Sequence, residues 1–175
     1  MDANAAGLKT FLCATPFFGG LADQSLDRLV SMLVERRYDA GESVFREGDP
    51  GRSMYIVQSG ELVVSKNAES GRSIRMTRLG PGDFFGETTL IEMQNRPSTI
   101  VVQAPGATLY ELTNASLYQL YKQDVNAYVM VMQNVNRELC RRLRKAEERV
   151  AEVADQSRDE LTQIKRRPSR PARKA

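Results

Sequence analysis

Residues 41–65 read GESVFREGDPGRSMYIVQSGELVVS, in which the short apolar runs SVF, MYIV and LVV are separated by the clusters REGDPG and QSGE. Apolar runs this short, rich in Val, Ile and aromatic residues and bounded by Gly, Pro, Asp and Ser, read as strands and turns. Outward from this stretch the same texture fills residues 35–113. YDAG opens it, AESG, LGPGD and QAPG punctuate the remainder, and SIRMTRL, STIVVQ and ATLYEL lie between them. Many short strands with such punctuation predict an antiparallel barrel or sandwich. Gln58-Ser59-Gly60-Glu61 is expected to form a tight hairpin with Gly60 at positive φ, and Asn67 to Gly71 a looser one.

Helical periodicity takes over on both flanks. Residues 21–34 place Leu21, Leu26, Leu29, Val30, Leu33 and Val34 on one stripe, with Asp23 or Ser25 as the expected cap. Phe11, Leu12, Phe17 and Phe18, set around Pro16 and Gly19-Gly20, predict a short helical prelude that buries aromatics against the domain. After Thr113 or Asn114, either of which could cap it, ASLYQLYKQD is helical. A long helix is then expected from Val125 to about residue 155. In it Leu139, Leu143, Ala146, Val150 and Val153 repeat at four-three spacing, a heptad seam opposite a charged face. Its first half is expected to pack on the β-domain and its second half to pair with the same helix of another subunit, giving a homodimer.

The 175 residues suit one domain with its own core plus an appendage. There is no histidine, which excludes a Ser-His-Asp or Cys-His mechanism within the chain, and no acid/base pair or nucleophile is evident. The expectation is a protein that is not an enzyme and needs no cofactor. Cys13 and Cys140 are too few for a zinc site or a disulfide framework and read as reduced thiols, buried or idle. The net charge of +3 conceals a division: residues 165–175 carry six basic groups and no acidic one, and without them 19 basic face 22 acidic groups. The tail KRRPSRPARKA is expected to be disordered. It holds Arg166-Arg167-Pro168-Ser169, a pattern for a basophilic kinase, and its charges could touch nucleic acid or anionic lipid weakly. No stretch approaches the roughly 18 apolar residues of a membrane span, and the N-terminus lacks a secretory pattern, so the expected location is the cytoplasm without a membrane partner.

Residues 79–101, LGPGDFFGETTLIEMQNRPSTIV, carry the chemistry. Gly86 lets the backbone turn sharply and approach a ligand closely. A helical turn starting there would aim the amides of residues 87–89 outward, and Arg96 could close on an anion with its planar fork. Thr88, Thr89 and Ser98 offer hydroxyls. Glu87 would repel an anion, so it is expected to accept hydrogen bonds from a neutral hydroxyl of the same ligand. An anion with an adjacent hydroxyl describes a nucleotide or a sugar phosphate. No Walker lysine follows a GxxxxG loop, so a single phosphate of low charge fits better than a triphosphate. Phe84 and Phe85 read as core and turn aromatics.

Gly41-Glu42-Ser43-Val44-Phe45-Arg46-Glu47-Gly48-Asp49, Met54-Tyr55-Ile56-Val57 and Ser59-Gly60-Glu61-Leu62 resemble the first half of a cyclic nucleotide-binding domain. Gly82-Asp83-Phe84-Phe85-Gly86-Glu87, with Arg96 ten residues after Gly86 and Thr99-Ile100-Val101 beyond it, resembles that family's phosphate-binding cassette. The spacing is similar to that of protein kinase A regulatory subunits, and the long following helix is similar to that of the catabolite activator protein. The resemblance covers roughly residues 10–155. It implies a β-roll, jelly-roll-like, with N-terminal helices and a long C-terminal helix, and a cyclic nucleotide, cAMP or cGMP, as ligand. Glu87 would then bind the ribose 2′-hydroxyl and Arg96 the cyclic phosphate, together with the amides following Gly86, including that of Thr89. Met76 and Thr77 fall where the family lines the base pocket, and Ala146 and Glu147 where activator-like members meet the base.

Three departures from the family pattern stand out. Pro97 stands where a small residue usually donates its amide to the phosphate, and proline has no such donor, a deficit of about 1.5–3 kcal/mol unless Ser98 compensates. Thr88 replaces a usual aliphatic residue, and Ala146-Glu147 replaces a hydroxyl pair. The expected organisation is a prelude over residues 1–20, a ligand-binding β-roll with flanking helices over 21–124, a long helix over 125–155 and a basic tail over 156–175. The expected function is a sensor in which ligand binding moves the C-terminal helix and alters a dimer or effector interface. A ligand-independent interaction module with a degenerate pocket is the alternative, and Pro97 speaks for it. A DNA-binding activator is disfavoured because about twenty residues after the long helix are too few for a winged helix.

Overall fold

Among the described residues, eight strands, all pairing antiparallel, build two four-stranded sheets. The structure, a computed structural model, describes the backbone of residues 3–166 and the side chains of residues 7–156. The strands are β1 (Val34–Asp39), β2 (Ser43–Phe45), β3 (Ser53–Ser59), β4 (Leu62–Asn67), β5 (Ser73–Leu79), β6 (Phe84–Phe85), β7 (Thr99–Val102) and β8 (Gly106–Thr113). One sheet has the order β1-β8-β3-β6 and the other β2-β7-β4-β5. Helices α1 (Ala3–Cys13) and α2 (Asp23–Val30) precede the strands, α3 (Thr88–Glu92) interrupts them, and α4 (Asn114–Gln123) and α5 (Val125–Arg166) follow. The mainly β architecture with N-terminal helices and a long C-terminal helix is the expected one. The chain divides into two compact units, Met1–Val135 and Asn136–Ala175.

Strand alternation explains how the first unit is layered. Phe45, Tyr55, Val57, Leu62, Leu79, Phe85, Ile100, Val102, Ala107 and Leu109 fill the space between the sheets. Met54 and Ile56 point the other way from β3 and are also fully buried. A strand covered on both faces reads as a continuous apolar run, which is why MYIV shows no alternation. Phe84 lies opposite Ile56 in the ladder, and its ring meets Phe17 edge-on at 5.4 Å. The aromatic prelude therefore packs on the sheet as expected, with Leu12, Phe17 and Phe18 buried.

Several local expectations change. The QSGE turn is not a hairpin, because β3 and β4 belong to different sheets. Gly60 does take φ 93°, but it carries the chain across the roll, where a Cβ would lie 2.3 Å from the Gly106 carbonyl oxygen. The looser turn is a true hairpin: β4 pairs with β5, and the Ala68 amide donates to the Arg72 carbonyl at 2.9 Å. Helix α2 ends at Val30, and Val34 starts β1 opposite Glu111, so cross-strand pairing overrides the end of the helical stripe. Neither Asp23 nor Ser25 caps α2; Ala22 stands at that position, and the Ser25 hydroxyl donates to Asp124 at 2.7 Å. Thr113 caps α4, accepting from the Ser116 amide at 3.1 Å. Cys13 and Cys140 are free and exposed rather than buried.

Helix α5 starts at Val125 as expected, where Asp124 accepts from the Ala127 amide at 3.0 Å, but it runs on to Arg166 instead of ending near residue 155. Within the second unit, Leu143, Val150 and Val153 are exposed, and both Arg141 and Arg142 pair with Glu138. Ser169 and most of the basic tail lie outside the described residues. Among the described residues no helix is long and apolar enough to cross a membrane, and no group of three or more His, Cys, Asp or Glu could hold a metal ion.

Candidate functional site

The cassette begins where β6 ends. Gly86 has φ 79°, a region L side chains rarely enter, and a Cβ there would stand 2.6 Å from Arg96 Nη1 and 3.1 Å from the Ser53 carbonyl oxygen. Only glycine satisfies both the turn and the approach of Arg96. Glu87 follows at the N-cap of α3 and is 4% exposed. Helix α3 has five residues, too few to add a strong macrodipole. Its value lies in the first amides, those of Thr88 and Thr89, which have no acceptor within the helix.

Arg96 is the centre of the arrangement and is also 4% exposed. Its Nη1 donates to the Gly86 carbonyl at 3.2 Å and to Thr89 Oγ1 at 3.0 Å. Nη2 reaches Ser53 Oγ at 3.5 Å, the guanidinium lies 4.0 Å from the centre of the Phe45 ring, and buried Nε has no hydrogen-bond partner. Burial is the largest influence on its ionisation and lowers its pKa, against the pull of the Tyr55 hydroxyl, Glu111, Asp49 and Glu87. An arginine starts high enough to remain a cation nonetheless. Its backbone is fixed by the β2–β3 loop: the Arg96 amide donates to the Asp49 carbonyl at 2.8 Å, and the Gly48 amide to the Arg96 carbonyl at 2.9 Å. REGDPG folds tightly enough to do this because Asp49 accepts from the Arg46 amide at 2.7 Å.

A chain of polar groups continues from Arg96 to the surface. Ser53 Oγ donates to the Tyr55 hydroxyl at 3.3 Å, which donates to Glu111 at 3.4 Å, and Glu111 accepts from Arg36 at 2.8 Å. Burial alone would raise the Glu111 pKa, but the hydrogen bonds from Arg36, Ser53 and Tyr55 outweigh it and hold the carboxylate below its ordinary value. A cavity of about 460 Å³ opens beside Arg96, lined also by Phe45, Asp49, Arg52, Ser53 and Tyr55.

The sequence-derived residues fall into four groups. Gly86, Thr89 and Arg96 are in direct contact, with Glu87 and Thr88 at the start of α3. The Thr89 hydroxyl donates to the Gly86 carbonyl at 2.9 Å, so it positions Arg96 instead of standing ready as a ligand donor. Pro97 is exposed and Ser98 half-buried, leading into β7. Met76 and Thr77 lie on β5, and Met76 is 50% exposed and so is not a core residue. Ala146 and Glu147 belong to the second unit and are exposed on α5. Sequence reasoning missed the Phe45, Ser53 and Tyr55 cradle of Arg96, and Arg52 on the same cavity. The alternation of β3 puts Ser53 and Tyr55 on one face, a signal that acquires meaning once that face is known to look at the cassette.

A roll of two antiparallel sheets, interrupted by a Gly-Glu turn and a buried arginine, defines a class. Residues 35–124 match the family described as Cyclic nucleotide-binding domain, and the chain belongs to that family. The Cyclic AMP receptor protein of Thermus thermophilus is 30% identical over 137 residues, covering 76% of this chain and 59% of that protein. The regulatory domain of Toxoplasma gondii PKA, solved with cAMP, shares 31% identity at a TM-score of 0.62 and covers 68% of this chain and 45% of that one. A cyclic nucleotide-binding domain from Methylobacillus flagellatus shares the fold at a TM-score of 0.77 and 20% identity, covering 84% of each chain. This chain therefore spans under two thirds of the Thermus protein's length.

Proposed function

We propose that this protein is a cyclic nucleotide sensor, not an enzyme, with cAMP as its ligand and cGMP as the competing candidate. The observation that carries the reading is Arg96, a guanidinium 4% exposed and fastened to the Gly86 carbonyl and Thr89 within the cassette. A buried cation is costly for a fold, and this one sits beside backbone amides suited to an anion. In this reading Arg96 and the amides following Gly86, with Thr88, Thr89 and Ser98 close by, take the cyclic phosphate. Glu87 takes the ribose 2′-hydroxyl, a neutral donor to its carboxylate, which would repel the phosphate. Met76 and Thr77 on β5 are assigned to the base. Residues 21–124 form the binding module and the long helix from Val125 is the output, moved by ligand and joined to a second subunit or to an effector of separate origin.

The test compares the wild-type protein with Arg96→Met and Glu87→Gln. Replacing Arg96 by an apolar side chain of similar reach removes a costly buried cation but also the donor to the Gly86 carbonyl and Thr89 Oγ1, so the two effects oppose each other. Arg96→Met should therefore stay folded, with an unfolding midpoint at or below that of the wild type, while weakening cAMP binding at least a hundredfold. Glu87→Gln should weaken cAMP by about tenfold, consistent with loss of a charge-assisted hydrogen bond. An Arg96→Met protein that binds as the wild type does would refute the assignment of Arg96. A second reading, a ligand-independent interaction module, is favoured by Pro97 alone. It predicts no thermal shift with any nucleotide and an oligomer that forms without ligand.

A further inference from the structure

Glu111 is a carboxylate at an inward position of a central strand. On β8 it shares a face with Ala107 and Leu109, both of which fill the space between the sheets. Its ladder partner on β3 is Tyr55, another member of that core, and its side chain is 14% exposed. Packing alone would place an apolar residue there, because a carboxylate withdrawn from water is costly unless charge and hydrogen bonds compensate. Arg36 pairs with it at 2.8 Å, but the Arg36 side chain is 52% exposed, and an ion pair so open to solvent contributes little. Arg36 does not by itself account for the carboxylate.

The other contacts of Glu111 lead toward Arg96. Ser53 and Tyr55 are buried and both hydrogen-bond Glu111, which they help to keep ionised. An ionised carboxylate only accepts, so each hydroxyl directs its single hydrogen toward Glu111, Ser53 either directly or through the Tyr55 oxygen at 3.3 Å. Tyr38 also bonds Tyr55, and burial pushes its pKa up to about 12, so it stays neutral. What Ser53 Oγ presents to Arg96 Nη2, 3.5 Å away, is then a lone pair. Thr89 is arranged alike: its hydrogen goes to the Gly86 carbonyl, and its oxygen accepts from Nη1. Among the carboxylates that favour the cationic form of Arg96, Glu111 acts more strongly than Asp49 or Glu87.

We propose that Glu111 is a positioning residue of the cassette: it gathers the hydrogens of Ser53 and Tyr55, so that Ser53 Oγ accepts from Arg96 Nη2 and holds the guanidinium where an anion meets it. This rests on the reading of Arg96 as the anion-binding cation. The Gly86 carbonyl and Thr89 fix Nη1, Ser53 fixes Nη2, and the planar fork is left with one orientation. Glu111→Gln keeps the shape but offers an amide that donates as well as accepts, which frees the hydroxyl hydrogens to turn toward the guanidinium.

The test uses the full chain with isotope-labelled arginine. In the wild type without nucleotide, nuclear magnetic resonance should resolve the Nη–H signals of Arg96, assigned by their loss in Arg96→Met, because a fork held at both ends rotates slowly. Glu111→Gln and Ser53→Ala should each average those signals and weaken cAMP by about fivefold. The double variant should also lose about fivefold, because both changes break one chain. If Glu111→Gln fails to fold, Ser53→Ala, which removes a single oxygen, decides by the same two readouts. Unchanged affinity in the single variants, or losses that multiply in the double variant, overturns the proposal. If the wild type binds neither cAMP nor cGMP, the sensor reading fails and the Arg96 signals decide alone: averaging in Glu111→Gln sustains the positioning role, and signals still resolved overturn it.

Discussion

At the scale of single residues, the site turns on the mutual dependence of Gly86 and Arg96. The glycine supplies a left-handed turn and leaves room for Nη1, and the arginine returns a hydrogen bond to the Gly86 carbonyl at 3.2 Å. Gly86→Ala should cost about 1–3 kcal/mol in backbone strain and displace Arg96 as well. Urea unfolding should show a lowered midpoint with unchanged slope, and nucleotide affinity should fall together with it. An alanine variant as stable and as tight-binding as the wild type would contradict this account of the turn. Gly86, Glu87 and Arg96 were legible in the sequence because all three lie within eleven residues and their types allow few other chemistries. The cradle was not legible. Phe45, Ser53 and Tyr55 lie some forty residues upstream, and nothing local to them announces a cation.

At the scale of elements, strand existence was readable and strand pairing was not. SVF, MYIV, SIRMTRL and ATLYEL all became strands near their expected limits, because turn residues bound them chemically. The sheet to which each belongs depends on non-local contacts. QSGE has the composition of a hairpin and serves as a crossing between sheets, since the close approach of Gly60 to Gly106 demands the same glycine a hairpin would. Caps divide in the same way. Ser25 was drawn from its own helix by Asp124, 99 residues on, whereas Thr113 kept the local partner its position offered. Thr113→Ala should cost about 1 kcal/mol, typical of a lost N-cap. Urea denaturation should resolve that loss, and an unchanged midpoint would mean that the Thr113–Ser116 bond contributes nothing to α4.

At the scale of the whole molecule, the absence of histidine and the split charge take on physical meaning. The proposed site uses a guanidinium, a carboxylate and backbone amides to bind and calls for no proton transfer, so the absence of histidine costs the proposed function nothing. The basic excess lies in the terminal segment, and the cation proposed to take the phosphate, Arg96, is buried in the first unit. These features make the ligand the quantity on which the account depends. The most direct measurement is calorimetric titration of the folded full chain with cAMP and, separately, with cGMP. The account predicts saturable binding of one cyclic nucleotide per chain in the micromolar range or tighter, absent in Arg96→Met. No heat of binding from either nucleotide at high micromolar concentration, with the protein folded, would contradict it.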